Sequence, residues 1–303
     1  MMIKKSNRAN EHASLSFFLV GFLSLILAFP LFMYVHRELP DYGWPFRLDR
    51  VLMFIFLAAF VLMVLRLFRS VIIAAVIVTA GLLTYGSFSG YYGFKNLVTD
   101  YKAMLYAFKY EPYHDKAQYY GDGVIHFKKE ILNAINDNMP DLRELAVTAA
   151  NGSFRDEQNR YEWYRTTIQC FAVFKKINGS WNYVSDPQGD EYFAYAGQSA
   201  RLLAGDCDDH AILMAAAIKA IGGTARLVHT TNHLYPEILI GNKNNLEMVN
   251  YLIKKILFPA ESRGQEIHYH KDKEGNIWLN LDYTAAYPGG KFFAEPVLGV
   301  LVP

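Results

Sequence analysis

The chain has 303 residues, 52% of them apolar and 19% charged, with 30 Lys and Arg against 29 Asp and Glu. That composition excludes a disordered chain and supplies no overall basic field for nucleic acid. Residues 1–90 hold only 8 of the basic and 4 of the acidic residues, so an apolar front, 1–94, is joined to a domain of ordinary polarity, 95–303, large enough for its own core.

The front reads as membrane. Ala13 to Val35 carries no charge for 23 residues and Val71 to Phe94 none for 24, and each is long enough to cross about 30 Å of hydrocarbon at about 1.5 Å per residue. Between them Val51 to Leu65 is uncharged, and Arg50 and Arg66 at its ends can snorkel to the two interfaces. Three transmembrane helices are expected, at about 13–35, 50–68 and 71–91. The first is too long for a secretory signal and no cleavage site follows it. With the N-terminus inside, the cytoplasmic side carries Lys4, Lys5, Arg8, Arg66 and Arg69, against Arg37, Arg47 and Arg50 outside. This charge bias places 95–303 outside the cytoplasm, which in a bacterium means an inner-membrane protein with a periplasmic or extracytoplasmic domain.

Helical spacing follows in Gly123 to Asn136, in Pro140 to Ala150, and in Glu157 to Ile177, where Tyr161, Tyr164, Ile168, Phe171 and Phe174 form one stripe. Cys170 lies in that last segment and reads as a small buried side chain. Ile177 to Phe193 mixes Gly, Pro and Asp with aromatics, which predicts a helix stop and an ordered loop.

Next comes GDCDDHAILMAAAIKAIGG, from Gly205 to Gly223. Asp208 to Ile221 is rich in helix formers and Gly222 and Gly223 close it, so Cys207 sits at a helix N-terminus. The positive end of the helix dipole and its unpaired amides favour a thiolate there and can receive an oxyanion. Asp206, Asp208 and Asp209 suit the helix start as caps but oppose the thiolate electrostatically, so a neighbouring imidazolium is needed. TARLVHTT and NHLYPEILIG then read as two strands, the second opening on His233. HYHKDKEGNIWLNLDYTAAYPGG reads as a hairpin turning at Glu274 to Asn276, with a strand that ends in Asp282. Cys, His and Asp in that order suit nucleophile, base and orienting carboxylate.

These segments resemble the transglutaminase-like superfamily. GDCDDHAILMAAAIKAIGG is similar to its cysteine-bearing helix, HLYPEI to its His-x-aromatic-x-Glu strand, and WLNLDYT to its aspartate strand; WNYVSDP and EYFAYAGQSARLLAG upstream resemble the bacterial members. The resemblance covers about 157–287. It implies an α+β, papain-like fold with Cys207 as nucleophile, His233 as base and Asp282 as orienting carboxylate. It further implies a membrane-anchored cysteine hydrolase or acyltransferase, a protease or amidase acting on a protein or peptide substrate through a thioester, with no cofactor or metal. The 48 residues between His233 and Asp282 exceed what two adjacent strands need, and a helical insertion is expected at about 244–258, with Leu246, Val249, Ile253 and Ile256 on one face.

His229 with His233, and His268 with His270, have metal-pair spacings but lack a completing carboxylate or thiol motif. Asp206, Asp208 and Asp209 could hold calcium, as in some bacterial transglutaminase-like proteinases, and helix capping accounts for them as well. Gln198, upstream of the cysteine, is a candidate oxyanion donor by analogy with papain-like enzymes, while Trp181 and Tyr192 read as core or groove wall. Phosphate-binding glycine loops are absent, and the aromatics lack an interleaved basic patch, so nucleotide chemistry and nucleic-acid binding are not expected. The alternative function is a non-catalytic transglutaminase-like module that binds an extracytoplasmic peptide or membrane partner, and oligomeric state is not legible in the sequence.

Overall fold

The computed structural model describes residues 20–35, 48–109, 125, 127–136, 139–186, 192–291 and 295–303. It is a mixed α+β protein whose contacts divide it into two units, Met1–Met104 and Leu105–Pro303.

The first unit is helical. Helix α1 (Val20–Val35) is the described part of the first apolar run, and residues 13–19 lie outside the described residues. Helix α2 (Leu48–Leu67) corresponds to the middle run, and among the described residues it is the one helix long and apolar enough to cross a membrane. Helix α3 (Arg69–Ser89) covers the third run and ends at Gly90, whose φ of 77° reverses the chain. Helix α4 (Phe94–Lys109) then leaves at 105°, so that α3 and α4 together make one bent apolar pair. The corner is tight because Gly86 and Gly93 lack Cβ atoms. One on Gly86 would collide with the Tyr92 carbonyl, and one on Gly93 would meet the backbone of Ser87.

The second unit is built round one helix. Helices α5 (Lys128–Ile135), α6 (Pro140–Gly152), α7 (Arg155–Arg160) and α8 (Arg165–Asn178) precede it, with a 3-10 turn at Glu162–Tyr164. The single helix expected over 157–177 is therefore broken. Tyr161 leaves helical geometry, at φ −118° and ψ 60°, and its ring is buried, while Ile168, Phe171 and Phe174 keep the expected stripe in the core. Helix α5 is shorter than the expected 123–136, starting after Phe127; residues 123, 124 and 126 lie outside the described residues.

After α8 come β1 (Asn182–Tyr183), α9 (Ala196–Leu202), β2 (Ala204–Gly205) and helix α10 (Cys207–Ala220), with β1 and β2 paired in parallel. Ala211 to Ala215 and Ala217 to Ile218 are fully buried, which explains why this helix lacks a polar face. One side packs on α6, α8 and α9, the other on β3 (Ala225–Thr230) and β4 (Leu234–Gly241). Gly222, at φ 85°, ends it as the sequence suggests, and the next residue, Gly223, lets α8 approach closely: a Cβ there would lie 2.6 Å from Cys170 Sγ.

The expected insertion is present as α11 (Lys243–Tyr251) and a π-helical turn (Leu252–Leu257). Leu246, Val249 and Ile253 are buried as expected, but Ile256 is only half-buried and Leu257 and Phe258 take its place. The π turn is the reason: Phe258 N–H reaches back five residues to the Ile253 carbonyl, which rotates the face beyond an α-helical pattern. Strands β5 (Tyr269–Lys271) and β6 (Ile277–Asn280) form the expected hairpin, and β7 (Val297–Leu301) completes an antiparallel sheet ordered β5-β6-β4-β3-β7. The sequence reading did not include β7.

Candidate active site

Cys207 is the first residue of α10, half-buried, with Asp206 as N-cap. The Asp206 carboxylate accepts from the amides of Asp208 at 3.1 Å and Asp209 at 3.5 Å. Two of the amides expected to receive an oxyanion are thereby occupied, leaving the N–H of Cys207 itself as the helix-start donor.

His233 stands immediately before β4, and Asp282 lies two residues beyond the end of β6. These strands are antiparallel neighbours, with Glu237 opposite Asn280, so the start of one and the end of the other lie at the same end of the sheet. The 48-residue separation therefore closes without strain, because α11, the π turn and β5 form a detour from the β4–β6 pair. His233 Nε2–H donates to Asp282 Oδ2 at 2.7 Å, with both side chains buried. Cys207 acts on the same imidazole and favours its charged form, and with Nε2 on the carboxylate it is Nδ1 that remains for such a partner. Burial alone would lower the His233 pKa; the hydrogen bonds and charges of Asp282 and Cys207 outweigh it and raise the pKa to about 9. Its ring stacks on Tyr235 at 5.8 Å and meets Tyr283 edge-on at 5.9 Å. The three residues nominated from the sequence thus come together.

The acidic neighbours differ among themselves. Burial first, then a hydrogen bond with Asp206 and repulsion from Asp206, Asp209 and Cys207, push Asp208 up to about 10. As a carboxylate neither of its oxygens meets a donor, so the neutral acid is favoured. Asp209 is raised to about 6, mainly by burial, and accepts the Ala194 amide at 2.8 Å. One of the three carboxylates that oppose the thiolate is therefore neutral at pH 7. Their oxygens lie within 4.8 Å of one another; Asp206 Oδ1 caps the helix start, and Asp209 Oδ1 serves the Ala194 amide.

Of the paired histidines, His233 serves Asp282, and His270 lies in a separate network. His270 Nδ1 bonds Glu237 Oε1, and Glu237 Oε2 accepts from Arg226 Nε at 2.8 Å, in a buried network on the sheet. Gln198 lies on α9 and accepts the Tyr192 hydroxyl at 2.9 Å through its carbonyl, leaving its NH2 as donor. Trp181 packs edge-on against His210 at 5.2 Å, and its indole N–H is buried without an acceptor. Tyr183 and Tyr283 stack at 5.5 Å beside it.

Two residues at this site escaped the sequence reading. His210, one turn after Cys207 on α10, is fully buried, and Asn178, the last residue of α8, bonds both His210 and the loop after Asp282. The signal available for His210 was its i+3 spacing from Cys207; for Asn178 there was none, because its partners are 32 to 107 residues away. Comparison with protein-family models, with curated proteins and with solved structures finds no match to this chain.

Proposed function

We propose that this is a membrane-anchored cysteine enzyme of the transglutaminase-like type, with a papain-like arrangement of Cys207, His233 and Asp282 that hydrolyses or transfers the acyl group of a peptide or amide. The observation that carries the reading is the buried His233–Asp282 pair, 2.7 Å apart through Nε2, whose charged imidazole the helix-start thiol of Cys207 also favours. An imidazole so held remains protonated through neutral pH beside the thiol, which is what thiolate attack requires.

In the reaction, Cys207 Sγ forms a bond to the carbonyl carbon and the carbonyl π electrons move to oxygen. The Cys207 N–H, at the helix start, is the donor available to that oxyanion. As the tetrahedral intermediate collapses the C–N bond breaks, the amine leaves with the imidazolium proton, and a thioester remains. Water, deprotonated by the now neutral imidazole, attacks the thioester and the thiolate departs; an amine in place of water gives transamidation. Asp282 holds the ring orientation and stabilises its charge throughout. A protein or peptide near the membrane surface is the substrate we favour. Support for the anchor is the length and apolarity of α2 together with the uncharged runs on either side of it. We infer three spans, with 95–303 on the extracytoplasmic side.

Iodoacetamide alkylation of the full-length chain in detergent, followed from pH 5 to 9, tests this. An isolated thiol slows steeply below about pH 8.5. Cys207 is expected to keep reacting at pH 6, and His233→Ala to abolish that acidic reactivity, with Cys207→Ser as the labelling blank. Equal behaviour of wild type and His233→Ala would favour the binding module instead.

A further inference from the structure

Resting on that reading, the geometry points to Asn178 and His210 as positioning residues that tie the nucleophile's helix to the loop carrying Asp282. Asn178 Nδ2 donates to the Asp282 carbonyl at 2.9 Å and to the Ala285 carbonyl at 3.2 Å. Two carbonyls on one end of the amide fix its orientation, because the reversed amide would set oxygen against oxygen twice. Oδ1 therefore faces His210 Nε2 at 2.8 Å, and since Oδ1 can only accept, it is Nε2 that carries the proton.

His210 is thus a neutral imidazole, protonated on Nε2, with its Nδ1 buried and without a donor. Burial first, and the neighbouring His233 charge, drive its pKa down to about 3 against the attraction of Asp282. The two histidines consequently hold opposite roles: His233 carries the charge and His210 supplies a neutral donor. The links form a closed ring. Cys207 is joined to His210 by one turn of α10, His210 to Asn178, Asn178 to the backbone of Asp282, and Asp282 to His233, and the charge of His233 acts back on Cys207. A ring of this kind sets the distance between thiol and imidazole, which neither strand pairing nor the helix cap fixes alone.

The test replaces His210 by Gln, whose side-chain N–H reaches about as far as Nε2, and by Leu, which fills space without a donor. Full-length protein is compared by its iodoacetamide alkylation rate at Cys207 at pH 6 and by its unfolding midpoint in urea. His210→Leu is expected to slow alkylation about tenfold or more, as small misplacements of reacting groups do, while His210→Gln stays within about threefold of wild type. Asn178 is only half-buried, so Asn178→Ala opens the same link should His210→Leu not fold, and it is expected to slow alkylation to the same degree. Variants that lose stability but alkylate at the wild-type rate, or Gln and Leu variants slowed equally, would overturn the assignment. If His233→Ala also leaves the rate unchanged, the enzyme reading itself fails; if only His233→Ala slows it, the positioning role alone is lost.

Discussion

Asp282 Oδ2 accepts the Nε2 proton of His233 at 2.7 Å, between two side chains that strand ends bring together at one end of the sheet. Asp282→Asn keeps the shape and removes the charge. It should lower the His233 pKa from about 9 toward the ordinary value of about 6.5, because burial then acts without the opposing carboxylate. A histidine NMR titration of the variant checks this. An unchanged titration would mean that the carboxylate does not set the imidazole's charge.

Much of this site was legible from local chemistry. The helix start at Cys207 follows from a capping aspartate, an alanine-rich run and a closing glycine pair, and the strand assignments around His233 and Asp282 follow from apolar, β-branched stretches bounded by turns. What could not be read was long-range. The protonation of Asp208 depends on burial beneath neighbouring elements, and Asn178 acts on residues more than a hundred positions away. Strand β7 was missed because Val297–Leu301 is short and pairs with β3, whose own hairpin partner is β4. The break at Tyr161 was hidden because the apolar spacing continues across it, so periodicity alone suggested one helix.

Asp208 makes stability depend on pH. Its folded pKa, about 10, lies above the unfolded value of about 3.9. The contribution is therefore fully present below about pH 4 and is lost as pH rises toward 10, at up to about 1.4 kcal/mol per unit for one proton. Asp208→Asn should be more stable than wild type at pH 8, with the advantage vanishing at pH 4. Asp209, raised to about 6, and His233, raised to about 9, have the same sign. They leave a smaller residual slope between about pH 4 and 6 and between about 6.5 and 9. Urea midpoints at pH 4, 6, 8 and 9 measure these windows, and a variant with the wild-type slope would sink the assignment.

Glu237 is fully buried, with Arg226 Nη2 2.7 Å from one oxygen and His270 on the other, and the guanidinium lies 4.3 Å from the centre of the Trp278 ring. Removing only the acid leaves a buried cation. Glu237→Gln should cost about 3–5 kcal/mol, whereas exchanging both partners, as Arg226→Met with Glu237→Leu, should cost less than the two single changes together. A double-mutant cycle by urea unfolding decides; additive losses would show that the pair is not coupled.

Gly205 links the helix start to the loop in front of it. Its φ is 154°, and a Cβ built there would collide with the Asp209 carboxylate, the group that accepts the Ala194 amide at 2.8 Å. Gly205→Ala must therefore displace Asp209, and the buried Ala194 N–H loses its acceptor, a cost of about 1–3 kcal/mol. Because Asp209 is only two residues from Cys207, the same shift should disturb the helix start and slow Cys207 alkylation. A second change, Asp209→Ala, removes the obstruction. If the double variant regains none of the alkylation rate lost by Gly205→Ala, the collision is not what requires glycine at this position.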